Sequence, residues 1–251
     1  MDFTRNWLFI EKPVQDLLSK ARVLVVGLGI GSYLSELLVR TGFSQLCLVD
    51  GDTVDLSNLN RQNYTAKDVG KYKAEACRNR LISINPDLNL RVISQYADET
   101  ALPDLIANSD YVVNTIDFDA PIFSLCTRLA QEQGKVELFP INLGFGGAVF
   151  IFDKQSSSFE SYFLNDKPLK QQILDYIGVQ KNISNDLLGK VGLYYEKLNE
   201  VGYDPQLGVS SYLTSALMTA NLVKIVAGEA VKTFPDFYYS NAFSSVNDGC
   251  T

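Results

Sequence analysis

The stretch from residue 23 to residue 61 restricts the fold more than any other part of the chain. It begins with an unbroken aliphatic run at residues 23–26, which is typical of a parallel strand buried on both faces. An apolar-periodic helix follows, and we expect it to end near Gly42. The turn between the strand and the helix holds three glycines, Gly27, Gly29 and Gly31. The segment therefore predicts the strand, turn and helix that open a nucleotide-binding sheet.

A helix that begins at glycines presents unpaired N–H groups and the positive end of its dipole, which suits phosphate. A second strand is expected at residues 46–49 and ends in Asp50, about twenty positions after the glycines, where a carboxylate can accept hydrogen bonds from ribose hydroxyls. Glycine-rich turns also occur with nothing bound. A nicotinamide-dependent oxidoreductase is the general alternative, although the spacing Gly-x-Gly-x-Gly-Ser differs from the dehydrogenase fingerprint.

The rest of the pattern predicts an α/β fold, a Rossmann-like open sheet with helices on both faces that is parallel at first and mixed in its C-terminal part. Further strands are expected at residues 90–93, 111–114 and 135–139. A loop followed by another strand is expected within 142–152, and a last strand at 237–239. Further helices are expected within 69–86, 98–106, 122–133, 170–176, 187–200 and 208–228. We expect a single domain over 1–251, with an N-terminal arm at 1–20, an insertion at 153–205 and an unstructured tail at 244–251.

Composition excludes several classes of function. The chain has no histidine and four separated cysteines, so a zinc site of the usual Cys/His kind and histidine general-base catalysis are both excluded. The formal net charge of −7 gives no general attraction to nucleic acid or to anionic membranes. The most apolar late segment, residues 213–227, is interrupted by polar residues and is expected to be a packed helix. Sparse cysteines and the lack of a signal peptide indicate a cytoplasmic protein.

Specific motifs follow the second strand. They are Asp50-Gly51-Asp52-Thr53-Val54, then Leu56-Ser57-Asn58-Leu59-Asn60-Arg61-Gln62, then Val69-Gly70-Lys71-Tyr72-Lys73-Ala74 and Ile84-Asn85-Pro86. In this order and spacing they resemble the adenylating E1-like superfamily, the ThiF, MoeB and HesA group. It includes the activators of sulfur-carrier proteins, the ubiquitin-activating enzymes and the tRNA threonylcarbamoyladenosine dehydratases. The resemblance extends from about Thr4 to about Gly147 and implies ATP- and Mg²⁺-dependent adenylation of a carboxylate.

The resemblance also implies roles for single residues. Asp117, at the end of the fourth strand, matches the carboxylate that binds Mg²⁺. Arg61 and Lys73 match residues that contact the phosphates, and Asn58 matches one that bonds phosphate or a Mg²⁺-bound water. Each would otherwise be interpreted as a surface polar residue. Arg5 matches an N-terminal arginine that reaches the triphosphate of the neighbouring subunit, which requires a homodimer. The competing interpretation of Arg5 is a solvated surface charge.

Several features depart from the family pattern. The glycine loop is one residue shorter than the usual Gly-x-Gly-Gly-x-Gly, so the phosphate cradle is expected to be reshaped. Phe118 replaces the asparagine that usually follows the aspartate. Asp119 is the alternative metal ligand to Asp117, and its competing interpretation is a helix N-cap before Pro121. Neither Cys126, on an apolar helix face, nor Cys250, in the tail, is well placed to form a thioester with the substrate.

The leading hypothesis is therefore an adenylyltransferase that acts on the C-terminus of a small ubiquitin-like or sulfur-carrier protein, or on a ribosomal peptide. The insertion at residues 153–205 is either a partner-binding crossover or a surface excursion. A tRNA-modifying dehydratase and a catalytically silent scaffold remain the alternatives.

Overall fold

The computed structural model describes residues 1–118, 120–163, 169–181 and 205–243. Within them, seven strands form one sheet in the order β3-β2-β1-β4-β5-β6-β7. The strands are β1 (Arg22–Val26), β2 (Gln45–Val49), β3 (Asn89–Ile93), β4 (Tyr111–Asn114), β5 (Val136–Leu143), β6 (Gly146–Phe152) and β7 (Phe237–Asn241). The first five are parallel, and β6 and β7 run antiparallel to their neighbours. The predicted fold class is confirmed.

The helices in these residues are α1 (Lys12–Leu18), α2 (Gly31–Thr41), α3 (Lys73–Ile84), α4 (Leu102–Ala107), α5 (Pro121–Glu132), α6 (Phe159–Tyr162), α7 (Leu169–Lys181) and α8 (Gly208–Val226). The helix expected at 170–176 lies within α7. The helix expected at 187–200 and the tail from residue 244 lie outside the described residues. No helix in the described part of the chain is long and apolar enough to cross a membrane.

Alternate residues of β1 face opposite sides of the sheet, as the strand period requires. Val23 and Val25 belong to an apolar cluster with residues of α2, α3 and α8. Leu24 and Val26 belong to a second cluster with residues of α4 and α5. Helices therefore cover both faces of the sheet, which explains why the strand is apolar throughout.

The strand β5 is longer than predicted. Its expected end was residue 139, with a loop from residue 142, whereas the strand continues through Pro140 to Leu143. Pairing with β4 stops at Leu138, so the later residues pair only with the antiparallel β6. Pro140, which has no N–H to donate, lies beyond the end of the β4 pairing and is therefore tolerated. A two-residue hairpin turn follows, with Gly144 at a φ of 60°.

The sheet order reverses direction between β1 and β4. From β1 the chain proceeds outward through β2 and β3, and it then returns to place β4 on the other side of β1. In open α/β sheets, ligands bind in the crevice at such a switch point, outside the carboxyl ends of the strands. This topology places the glycine turn after β1 beside the segment that follows β4.

Candidate functional site

A cavity of about 1210 Å³ opens at the carboxyl edge of the sheet. Segments that follow β1, β2 and β4 line it, together with the end of β5, the start of α7 and residues 205–207. The cavity brings together six of the predicted site residues, namely Gly27, Gly29, Asp50, Arg61, Lys73 and Asp117. These residues are spread over about 90 positions of the sequence, and the fold brings them to one cavity.

The glycine turn is held tightly against the end of β4. Gly27 has a φ of 87°, and a Cβ at this position would lie 2.7 Å from the carbonyl oxygen of Thr115. The Thr115 hydroxyl donates to the carbonyl oxygen of Gly27 at 2.7 Å. The buried Tyr64 hydroxyl donates to the carbonyl oxygen of Leu28 at 2.8 Å. Glycine at position 27 is therefore required both by the backbone conformation and by the close contact.

Asp50 fixes the same turn from the end of β2. Its Oδ2 accepts a 2.6 Å hydrogen bond from the Leu28 N–H, and its Oδ1 accepts a 2.7 Å bond from the Asp52 N–H. Burial raises the pKa of this carboxyl, and the charge of Lys73 opposes the increase. Each carboxylate oxygen has a further lone pair, so the two backbone bonds leave Asp50 able to accept from a ligand hydroxyl.

Lys73 begins α3 and forms an ion pair in the cavity wall. The Lys73 ammonium lies 2.8 Å from Oδ2 of Asp52, and the Lys73 backbone N–H donates to the Asp52 carbonyl oxygen at 2.8 Å. The Tyr96 hydroxyl donates to the other Asp52 oxygen at 2.6 Å. Partial burial alone would raise the pKa of Asp52, but the hydrogen bonds from Lys73 and Tyr96 outweigh it and lower that pKa. Lys73 is thus held in one place by a carboxylate that remains ionised.

Arg61 is positioned by neutral oxygen atoms. Its guanidinium donates to the Ser57 carbonyl oxygen at 2.6 Å, to Oδ1 of Asn60 at 3.0 Å and to Oε1 of Gln206 at 3.2 Å. Among the described residues, no carboxylate lies within salt-bridge distance of it. Neutral acceptors leave the positive charge of Arg61 uncompensated at the cavity wall, which suits an anionic ligand.

Gln62 is a site residue that the motif contained but that sequence reasoning did not select. Its side chain is 8% exposed and lines the cavity beside Gly29. Its Oε1 is buried and has no hydrogen-bond partner within the described structure. A buried unpaired amide oxygen is unfavourable, so a donor from a bound ligand would stabilise it. Only the spacing beside Arg61 could have indicated this residue from the sequence.

Asp117 is exposed at the cavity edge, where its carbonyl oxygen accepts a hydrogen bond from the Ala120 N–H at 2.9 Å. Phe118, the departure from the family pattern, packs edge-on against Phe139 at 5.5 Å between ring centroids. The cavity thus turns from polar to apolar immediately after Asp117. Asp119 lies outside the described residues.

Three predicted site residues do not line the cavity. Gly31 begins α2 behind the turn, where a Cβ would lie 3.0 Å from Val25 and 3.1 Å from Thr115. Asn58 is buried, and its Oδ1 accepts from the Asp55 N–H at 3.0 Å, so this side chain stabilises the loop that carries Arg61. Arg5 is exposed in a short 3₁₀ turn, Thr4–Asn6.

The described cysteines are unsuited to nucleophilic catalysis. Cys77 and Cys126 are buried, and burial raises the pKa of the Cys77 thiol to about 12 and that of Cys126 well above its ordinary value. Cys47 is partly buried and its pKa is also raised by burial. Thiolates are therefore scarce at neutral pH in this part of the chain. Cys250 lies outside the described residues.

Comparison with known proteins identifies relatives of this chain. The model of the ThiF family matches residues 3–247. A molybdopterin-synthase adenylyltransferase from Salmonella typhimurium is 40% identical over 105 residues, 41% of this chain and 42% of the relative. The sulfur carrier protein ThiS adenylyltransferase of Escherichia coli is 36% identical over 146 residues, 55% of each chain. A tRNA threonylcarbamoyladenosine dehydratase of the same organism is 36% identical over 131 residues, 48% of this chain and 47% of the relative.

The matched region thus spans about half the length of these curated relatives. Solved structures share the fold over more of the chain. PaaA has a TM-score of 0.66 at 20% identity, covering 92% of this chain and 63% of its own. MccB from E. coli with ATP has a TM-score of 0.65 at 18% identity, covering 91% and 66%. At these identities the similarity shows the fold alone.

Proposed function

Because this chain belongs to the ThiF family, we propose that it is an ATP-dependent adenylyltransferase that activates a carboxylate. The observation that carries the proposal is the cavity in which the glycine turn, Arg61, Lys73 and Asp117 meet. The proposed substrate is the C-terminus of a small ubiquitin-like or sulfur-carrier protein, or of a ribosomal peptide. The names of the molybdopterin-synthase and ThiS adenylyltransferases support the first class, and the fold shared with MccB is compatible with the second.

The proposed reaction needs no proton carrier. A carboxylate oxygen forms a bond to the α-phosphorus of ATP, and the bond from that phosphorus to the bridging oxygen of the β-phosphate breaks. The electron pair leaves with pyrophosphate, and an acyl adenylate remains. Since two anions meet, the site must supply positive charge and orientation. A chain without histidine is able to do this.

We assign roles from the positions of the cavity residues. The glycine turn, through Gly27 and Gly29, receives phosphate oxygens, and Arg61 and Lys73 offset their charge. Asp50, held by two backbone N–H groups, accepts from a ribose hydroxyl. The amide of Gln62 lies beside Gly29 and contacts the same ligand. These groups bind and orient ATP without transferring a proton.

Asp117 is the proposed Mg²⁺ ligand. The residues present fit this ion, because Mg²⁺ is usually bound by one or two carboxylates together with substrate phosphates, and Asp117 is an exposed carboxylate that lines the same cavity as Arg61 and Lys73. Bound Mg²⁺ would neutralise phosphate charge and polarise the phosphoryl oxygens. We also propose a homodimer in which Arg5, exposed near the N-terminus, completes the phosphate site of the neighbouring subunit.

A second candidate function rests on the similarity to the tRNA threonylcarbamoyladenosine dehydratase. That reading requires a polyanion to bind a chain with a net charge of −7, which is unfavourable unless basic residues are concentrated in one patch. Retention on immobilised tRNA at 50 mM and 200 mM salt would separate the two candidates. Tight, strongly salt-dependent retention favours the dehydratase, and no retention at 50 mM removes it.

Calorimetric titration with ATP and Mg²⁺, and separately with NADH, tests the nucleotide site itself. We expect saturable ATP binding that weakens in an Arg61→Ala variant, and no binding of NADH. Binding of NADH in preference to ATP would overturn the proposal in favour of an oxidoreductase. Binding of neither nucleotide would favour the catalytically silent scaffold.

A further inference from the structure

The cavity is larger than one ligand needs. Its volume of about 1210 Å³ exceeds the range of about 300–1,000 Å³ that is usual for a single small-molecule site. The end near the glycine turn is polar and carries Asp50, Asp52 and Asp117. An apolar part of the lining, here called the apolar arm, consists of cavity residues that pack in one apolar cluster, namely Phe118, Phe139, Ile141, Leu143 and Leu174.

Lys170 brings a positive charge to the apolar arm. Three basic residues occur among the described residues that line the cavity, and Lys170 is the one that α7 supplies. It is 8% exposed, which is uncommon for lysine. Its ammonium lies 5.1 Å from the centroid of the Phe118 ring, over the ring face.

The position of Phe118 locates the Lys170 ammonium relative to the polar end of the cavity. Phe118 follows Asp117 directly, so Lys170 lies where the polar end of the cavity meets the apolar arm. The Phe118 ring also replaces a polar residue of the family pattern, and its contact with Phe139 makes this junction apolar. A carboxylate that approached the nucleotide through the arm would pass Lys170 in surroundings with little water, where charge pairing is strong.

We propose, on the basis of the proposed function, that Lys170 binds the carboxylate that is to be adenylated. The apolar arm then holds the side chain of the residue that carries this carboxylate. The substrate would accordingly end in a residue with a branched or aromatic side chain, because a terminal glycine would leave the arm unfilled. Lys170 offsets the charge of the carboxylate and leaves the bond changes at phosphorus unaltered.

Stable mimics of the acyl adenylate test this inference without the natural partner. The probes are 5′-O-(N-acylsulfamoyl)adenosines whose acyl groups are N-acetylglycyl, N-acetylleucyl and N-acetylphenylalanyl, and calorimetry gives each dissociation constant beside that of ATP. We expect the leucyl and phenylalanyl probes to bind about 10-fold or more tightly than the glycyl probe. A Leu174→Trp variant, which fills the arm, should lose this preference while its affinity for ATP stays within about twofold.

The charge is tested separately. Lys170→Met should weaken all three probes by about 10-fold with little change in ATP affinity, and Lys170→Arg should retain most of the binding. Lys224→Met, at an exposed position on α8, is the matched control. Thermal unfolding checks that each variant is folded.

Different failures lead to different conclusions. Equal affinities for the glycyl and phenylalanyl probes, or unchanged probe binding in Lys170→Met, would overturn the inference while ATP binding preserves the proposed function. ATP binding without binding of any acyl probe would also overturn the inference. If the wild-type protein binds neither ATP nor any of the acyl probes, both the proposed function and the inference are overturned.

Discussion

The ammonium of Lys73 lies 2.8 Å from Oδ2 of Asp52, and the side chain of Lys73 is 9% exposed whereas that of Asp52 is 45% exposed. The more exposed Asp52 carboxylate therefore holds the buried Lys73 side chain at the cavity wall. Tyr96 in turn donates to the other oxygen of Asp52, so the lysine is positioned before any ligand binds. Such preorganisation avoids an ordering cost when phosphate arrives.

Removal of the Lys73 charge should weaken ATP binding. A Lys73→Met variant loses one charge-assisted contact to phosphate, and we expect a loss of affinity of about 10- to 100-fold in calorimetry. Lys71→Met is the matched control, because Lys71 is half exposed, pairs with Asp68 and does not line the cavity. Equal ATP affinity in the two variants would remove Lys73 from the phosphate site.

Gly27 should be intolerant of alanine for two separable reasons. Gly27 and Gly70 have nearly the same φ, 87° and 84°, but a Cβ at Gly27 would meet Thr115 at 2.7 Å whereas one at Gly70 would meet nothing within 4 Å. Gly70→Ala thus reports the backbone cost alone, about 1–2 kcal/mol. Gly27→Ala should cost about 1–3 kcal/mol more in urea unfolding. Equal losses would show that the turn relaxes away from Thr115.

The N-terminal arm should act across a dimer. An Arg5→Ala subunit and an Asp117→Ala subunit are each expected to be inactive as homodimers. A mixed dimer would contain one site with both residues intact, so an equimolar mixture that has exchanged subunits should recover about a quarter of the wild-type activity. Absence of recovery, with mixed dimers demonstrated by differential tagging, would assign Arg5 to the surface.

Glu36 should make stability depend on pH in the acid range. Partial burial alone would raise its pKa, but hydrogen bonds from Arg80, Asn63 and Arg40 outweigh burial and lower the pKa from 4.5 to about 2. A carboxyl with a lowered pKa in the folded state stabilises the protein fully above its unfolded value. This contribution is then lost as the pH falls from about 4.5 towards 2.

A Glu36→Gln variant measures this contribution. Because the two arginines are about half exposed and therefore screened by solvent, we expect a cost of about 1–2 kcal/mol at pH 7 that shrinks at pH 3 in urea unfolding. Glu132→Gln, which breaks an exposed pair with Arg128, should cost less than about 0.5 kcal/mol. A Glu36 effect that is the same at both pH values would contradict the assignment.

The sequence predicted the elements whose signals are local. Aliphatic runs located β1, β2 and β4, and Gly42, with a φ of 121°, ends α2 near the predicted place. The full length of β5 was not predicted, because a proline in the sequence usually marks the end of a strand. Only the pairing of β5 with β4 and β6 shows why Pro140 is tolerated within it. Pairing between distant strands is a tertiary property that periodicity does not contain.

The candidate site was only partly accessible from the sequence. The resemblance to the family, carried by the order and spacing of its motifs, indicated Arg61, Lys73 and Asp117, and all three line the cavity. The bond that Asn58 accepts from Asp55, three residues earlier, is local to its own loop. The burial of Gln62 and Lys170, by contrast, depends on contacts between segments far apart in the chain. Such contacts leave no periodic signal, so a polar side chain in a cavity wall resembles a surface one in the sequence.

The measurement that tests the central claim most directly is exchange of labelled pyrophosphate into ATP by the purified protein with Mg²⁺, across a panel of small carrier proteins and peptides. We expect exchange that depends on one such carboxylate. It should fall by about 100-fold or more in Asp117→Ala and remain unchanged in Asp87→Ala, an exposed control. No exchange with any partner, together with no binding of ATP, would contradict the account.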